Sequence, residues 1–115
     1  MYCSFVDAEN TLKREATLPL DALAEAAECL RTLAHPHRLR MVELLLAGDH
    51  TVGELAEACG IPQHQASQHL GKMKDRGLLC VERRGRSGYY QVAAEGLHSI
   101  MECIRRHYGP ADEQD

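Results

Sequence analysis

The stretch from Thr51 to Gly77 constrains this chain most. Thr51-Val52-Gly53-Glu54 has the Ser/Thr-x-x-Glu form of a capping box, in which a hydroxyl and a carboxylate satisfy amides left open at a helix start. Gly60 ends that helix after barely two turns, and Ile61-Pro62 leads straight into another. In this second helix Ala66, Leu70 and Met73 make one apolar stripe, while His64, Gln68, Gly71 and Lys72 point the other way, and Gly77 stops it. Two short helices around a tight turn need further elements to cover their apolar faces.

The flanks supply them. After Pro19, the residues Leu20, Leu23, Ala27, Leu30 and Ala34 recur at spacings of three and four, which predicts an amphipathic helix over about Leu20 to Leu33. Pro36 fits the first turn of a second helix whose apolar set is Leu39, Val42, Leu45 and Leu46, with Gly48 as its stop. Beyond Gly77, Leu78 to Arg83 and Tyr89 to Ala93 read as two strands around the turn-forming run Arg84-Gly85-Arg86-Ser87-Gly88. Leu97, Ile100, Met101, Ile104 and Tyr108 mark a last helix, closed by Gly109-Pro110. The expected order is helix, helix, helix, helix, hairpin, helix. The expected organisation is a flexible arm over 1–19, one domain over 20–108 and an acidic tail over 109–115.

Charge is distributed unevenly along this plan. The whole chain of 115 residues carries −4, a value that by itself argues against a nucleic-acid partner. Yet residues 62–91 hold Lys72, Lys74, Arg76, Arg83, Arg84 and Arg86 against only Asp75 and Glu82, so one basic block sits inside an acidic chain. No apolar stretch approaches the ~20 residues of a membrane span. The start MYCSFVDAEN lacks a basic run followed by an apolar one, so the expected location is the cytoplasm. The five cysteines, Cys3, Cys29, Cys59, Cys80 and Cys103, are odd in number and contain no CxxC pair, so free thiols are expected rather than a disulfide framework or a zinc finger. Cys59 and Cys80 are expected to fill core space as small apolar groups, and Cys3 is left unassigned.

Two helices joined by a tight turn, a polar second helix and a basic hairpin are the parts of a winged helix-turn-helix, so the expected fold is mainly α with a β-hairpin wing. The second helix offers Gln63, His64, Gln65, Ser67 and Gln68, whose amide, imidazole and hydroxyl groups suit base edges in a major groove; glutamine in particular pairs bidentately with adenine. Lys72 and Lys74 suit flanking phosphates, and Arg83, Arg84 and Arg86 on the hairpin suit a minor groove or the backbone. The bland alternative is a polar surface helix beside an ordinary charged turn.

The segment from Leu30 to Leu79, continued by the hairpin to Tyr89-Tyr90, resembles the ArsR/SmtB family of winged-helix repressors, most specifically in LAHPHRLRMVELL (33–45) and ASQHLGKMKDRGLL (66–79). The similarity covers about residues 20–108. It implies a homodimer, joined through the first and last helices, that binds a palindromic operator and is released when a metal ion or a reactive sulfur species occupies it.

The inducer chemistry departs from the family's pattern. Where the family's thiolate site has Cys-x-Cys, this chain has Thr51-Val52-Gly53, and of the family's site on the last helix only His107 survives. Cys103 and His107 stand at i and i+4 on the last helix, as do His98 and Glu102, so either pair suits a zinc-like ion across a dimer. The favoured reading of each pair is nonetheless an interface polar residue that is simply hydrogen-bonded. Alternatively no ion is involved, and Cys29 and Cys103 link as the family's thiol sensors do, although those place the first cysteine in the second helix. Two further classes compete with a DNA-binding repressor: a winged helix used for protein contacts without specific DNA binding, and a small thiol-dependent enzyme. The enzyme reading lacks a CxxC, a nucleophile elbow and a phosphate loop.

Overall fold

The computed structural model describes residues 17–110. The expectations for Cys3, for most of the N-terminal arm and for residues 111–115 lie outside the described residues. The order is α1 (Leu20–Leu33), α2 (Pro36–Ala47), β1 (His50–Thr51), α3 (Val52–Cys59), α4 (Gln63–Asp75), β2 (Leu79–Arg84), β3 (Ser87–Val92) and α5 (Gly96–Tyr108). The chain divides inside α1 into a unit ending at Leu30 and a unit starting at Arg31.

In the first unit, α1 exposes most of the stripe that defined it. Leu20, Leu23 and Leu30 are 79%, 45% and 55% exposed. An isolated amphipathic helix is marginal in water, so a face of this kind calls for a covering surface.

The second unit holds the core, built from Leu33 at the end of α1 together with Met41, Val42, Leu45, Leu55, Ala56, Ala66, Leu70, Met73, Leu78, Leu79, Leu97 and Met101. Ala66, Leu70 and Met73, the stripe expected on α4, are fully buried. Local chemistry fixes the element ends. Pro36 occupies the first turn of α2, where its missing N–H is not needed. His35 caps that helix by accepting at Nδ1 from the His37 amide, 3.1 Å away. The capping box of α3 is complete: Thr51 Oγ1 accepts from the Glu54 amide at 3.2 Å, and Glu54 Oε1 accepts from the Thr51 amide at 3.0 Å. Gly60 ends α3 in the left-handed region, at φ 70°.

The sheet has three antiparallel strands in the order β1-β3-β2. β2 and β3 form the expected hairpin, but it turns more tightly than the five-residue run implied. Arg84 pairs with Ser87, leaving Gly85 and Arg86 at the tip, with Gly85 at φ 63°. The added strand β1 pairs His50 with Tyr90 and Thr51 with Tyr89. Cys80 is exposed and does not fill the core. It follows buried Leu79 on a strand that is otherwise exposed, so strand alternation turns its side chain outward. Cys59 is half-buried, and burial pushes its thiol up from the ordinary cysteine value.

Candidate nucleic-acid interface

α4 places its polar residues by helical period. With Ala66, Leu70 and Met73 turned inward, Gln63, His64, Ser67, Gln68, Lys72 and Lys74 are all exposed, and Gln65 is half-buried. His64, Gln68 and Lys72 follow at steps of four and share one stripe. α3 and α4 meet through the turn at Gly60, where the Ile61 amide donates to the Ala56 carbonyl at 3.1 Å. This positions α4 as the second helix of a helix-turn-helix, the element that enters a major groove.

The wing adds the basic residues. Ser67, Lys74 and Asp75 of α4 and Val81, Arg83 and Tyr90 of the hairpin line one groove of about 440 Å³. The structure thus brings Ser67, Lys74 and Arg83 together. Arg86 lies at the exposed tip, where its carbonyl accepts from Arg83 at 3.4 Å.

Arg84 is differently placed. Its guanidinium donates to Glu82 at 2.7 Å and to Asp49, and lies 4.6 Å over the Tyr89 ring. Gln91 donates to the same two carboxylates, at 3.0 Å to Asp49 and 2.9 Å to Glu82. The bonds from Gln91 and Arg84 hold the Asp49 carboxyl below its usual range, and those to Glu82 and Asp49 push Arg84 up. An arginine so committed fastens the wing to the loop before β1.

Among the residues considered for sensing, α5 brings one pair together. Cys103 Sγ is 3.8 Å from His107 Nδ1, and that nitrogen is 2.9 Å from the Cys103 carbonyl. Donation from Nδ1 to the carbonyl leaves Nε2 as the lone-pair nitrogen, the arrangement in which a histidine ligates a metal. His98 and Glu102 are exposed one turn apart, with no hydrogen bond between them among the described residues. Cys29 is half-buried in the first unit.

One cluster escaped the sequence reading. His35 and His37 flank Pro36, and His69 reaches them from α4 thirty-odd residues later. The signal was the His-x-His at the start of α2, but its third member is adjacent only in the fold.

A helix-turn-helix domain family matches residues 33–82, the span from the end of α1 into the wing. An uncharacterised HTH-type transcriptional regulator of Mycobacterium tuberculosis is 36% identical over 81 residues, covering 70% of this chain and 71% of the relative. The biofilm growth-associated repressor of Xylella fastidiosa is 38% identical over 80 residues, 70% of each chain. Among solved structures, the homodimeric winged helix-turn-helix DNA-binding domain of a possible ArsR-family regulator from Mycobacterium bovis superposes with a TM-score of 0.70 at 29% identity, over 85% of this chain and 91% of that one.

The chain belongs to the ArsR/SmtB family of winged helix-turn-helix transcriptional regulators. As an ArsR/SmtB protein it is a DNA-binding repressor rather than an enzyme. At the start of α3, Thr51-Val52-Gly53 supplies a capping hydroxyl and no thiolate, so the family label does not specify the inducer. No described helix is long and apolar enough to cross a membrane.

Proposed function

We propose that this repressor acts in the cytoplasm as a homodimer on a palindromic operator, through a domain spanning residues 20–108, and that a metal ion or a reactive sulfur species releases it. The exposed polar face of α4 carries this reading: Gln63, His64, Ser67 and Gln68 read bases, with Gln65 beside them, while Lys72, Lys74, Arg83 and Arg86 hold the backbone. Arg84 supports the wing that presents them. The exposed leucines of α1 support pairing of two chains, as does the homodimeric state of the Mycobacterium bovis domain. The contact between Cys103 and His107 supports α5 as the place where the signal is read, either as an ion ligated with the help of His98 and Glu102 or as oxidation of Cys103 with Cys29.

The test is operator binding by reduced protein, followed by separate additions of zinc, arsenite, copper and a polysulfide, repeated on Cys103→Ser. Affinity should fall steeply with salt, by several released counterions per dimer. At least one addition should release wild type but not the variant. A flat salt response would leave the domain as a protein-contact module. Retained release in Cys103→Ser would remove that thiol from the mechanism.

A further inference from the structure

His35, His37 and His69 each offer a ring nitrogen to a common space, with these atoms all within 4.8 Å of one another. The His35 and His69 ring centroids are 4.4 Å apart, His35 and His37 5.4 Å, and His37 and His69 6.1 Å. The cluster is sheltered: His69 is only 7% exposed, and His35 and His37 are half-buried. Two of its nitrogens, His37 Nδ1 and His69 Nε2, are buried without a hydrogen-bond partner among the described residues. Buried polar atoms are normally satisfied, so two orphans within one histidine cluster require an explanation.

We propose that His35, His37 and His69 bind one divalent transition-metal ion of the zinc class within each protomer, and that this ion competes with Arg38 for His69. Neutral imidazole suits zinc, cobalt, nickel and copper, whereas calcium and magnesium demand oxygen ligands. Three imidazoles leave a fourth tetrahedral position for water. A metal–nitrogen distance near 2.0–2.1 Å draws the three nitrogens closer than they now stand, a movement that side-chain rotation supplies.

The competition follows from proton positions. Arg38 Nε donates to His69 Nδ1 at 3.0 Å, while another nitrogen of the same guanidinium donates to the Thr32 carbonyl at 2.7 Å. With Nδ1 accepting, neutral His69 carries its proton on Nε2, the orphaned atom. An ion at Nε2 requires the proton on Nδ1 instead, and two N–H groups then face each other. The ion therefore replaces the Arg38 bond that ties the start of α2 to α4, one residue from Gln68. The cap that His35 Nδ1 provides to the His37 amide is lost in the same way when His35 Nε2 ligates. This site is separate from the α5 pair and does not depend on it.

The experiment is a titration of full-length, chelator-stripped protein with cobalt(II) near neutral pH. The expected result is one ion per protomer, with the visible absorption of a tetrahedral nitrogen- and oxygen-ligated ion and no thiolate charge-transfer band. His37→Gln, which leaves the Arg38 bond and the α2 cap in place, should weaken binding at least tenfold with unchanged circular dichroism. His35→Asn is the second variant, because asparagine keeps a capping group while removing the imidazole. A Cys103→Ser, His107→Gln double variant should bind as wild type does. Arg38→Ala should tighten binding by roughly three- to tenfold, the worth of one competing hydrogen bond. The proposal is overturned by absence of stoichiometric binding, by a thiolate band lost with Cys103, by unchanged affinity in folded His37→Gln and His35→Asn, or by Arg38→Ala binding no tighter than wild type.

Discussion

Three arginines within four residues of the wing have different surroundings, and those surroundings set what each can do. Arg84 is held by Asp49 and Glu82 over Tyr89, whereas Arg86 stands exposed at the tip without an ion-pair partner among the described residues. Arg86→Ala is therefore expected to weaken binding to every duplex and to lower the salt slope by about one. Gln68→Ala should instead remove ~1–3 kcal/mol of discrimination between operator and unrelated duplex while leaving non-specific binding nearly intact. Fluorescence anisotropy on both duplexes across a salt series separates the two, and identical behaviour of the variants would end the division between helix and wing. His69, buried behind Gln68, has a pH consequence of its own. Burial, reinforced by His35, Arg38, His37 and Lys72, holds its imidazolium below the ordinary histidine value of 6.5, so the unfolded chain takes up the proton first. The stability that neutral His69 contributes is thus present above that value and is lost as pH falls through the lower folded-state value. Melting temperature should drop on acidification below about pH 6.5, and His69→Gln should flatten that part of the profile; an unchanged profile in the folded variant would assign the acid response to other groups.

At the scale of elements, the most predictive residues were those whose chemistry is local. The capping box, Pro36 and Gly60 each act within one helical turn, so α2, α3 and the turn between α3 and α4 could be read from sequence. Thr51→Ala should cost about 1 kcal/mol in a denaturant titration, because it uncovers the Glu54 amide, and Thr51→Ser should restore most of it. Equal loss in the serine variant would trace the effect to the β-branched methyl in β1 rather than to the cap. β1 itself was not legible: two residues carry no alternation, and what makes them a strand is pairing with Tyr89 and Tyr90, about forty residues away. Cys80 was misplaced for a related reason, since small and apolar suggests burial while its side of the strand is uncovered. The histidine cluster needs α2 and α4 packed together before it exists, and Arg84 looked like its neighbours until Asp49 was brought to it by the fold.

For the whole molecule, the net −4 resolves into an acidic scaffold and a basic reading surface, and the helices outside that surface have apolar faces to account for. α1 shows Leu20, Leu23 and Leu30 to solvent, and α5 ends with Tyr108 84% exposed. Large apolar side chains in that number on one short helix are typical of a contact surface. If that surface pairs two chains, Leu23→Lys combined with Leu30→Lys should yield a monomer in sedimentation equilibrium, because two added like charges from each chain would be brought into a dehydrated contact. The second unit keeps its core in that variant, since neither leucine belongs to it, so its melting should remain cooperative. Operator affinity should fall far more than affinity for a half-site, because only a dimer spans two half-sites ~34 Å apart and binds both with one loss of translational freedom. A double-lysine variant that stayed dimeric, or that bound operator as well as wild type, would move the pairing surface away from α1 and leave its leucines for another partner.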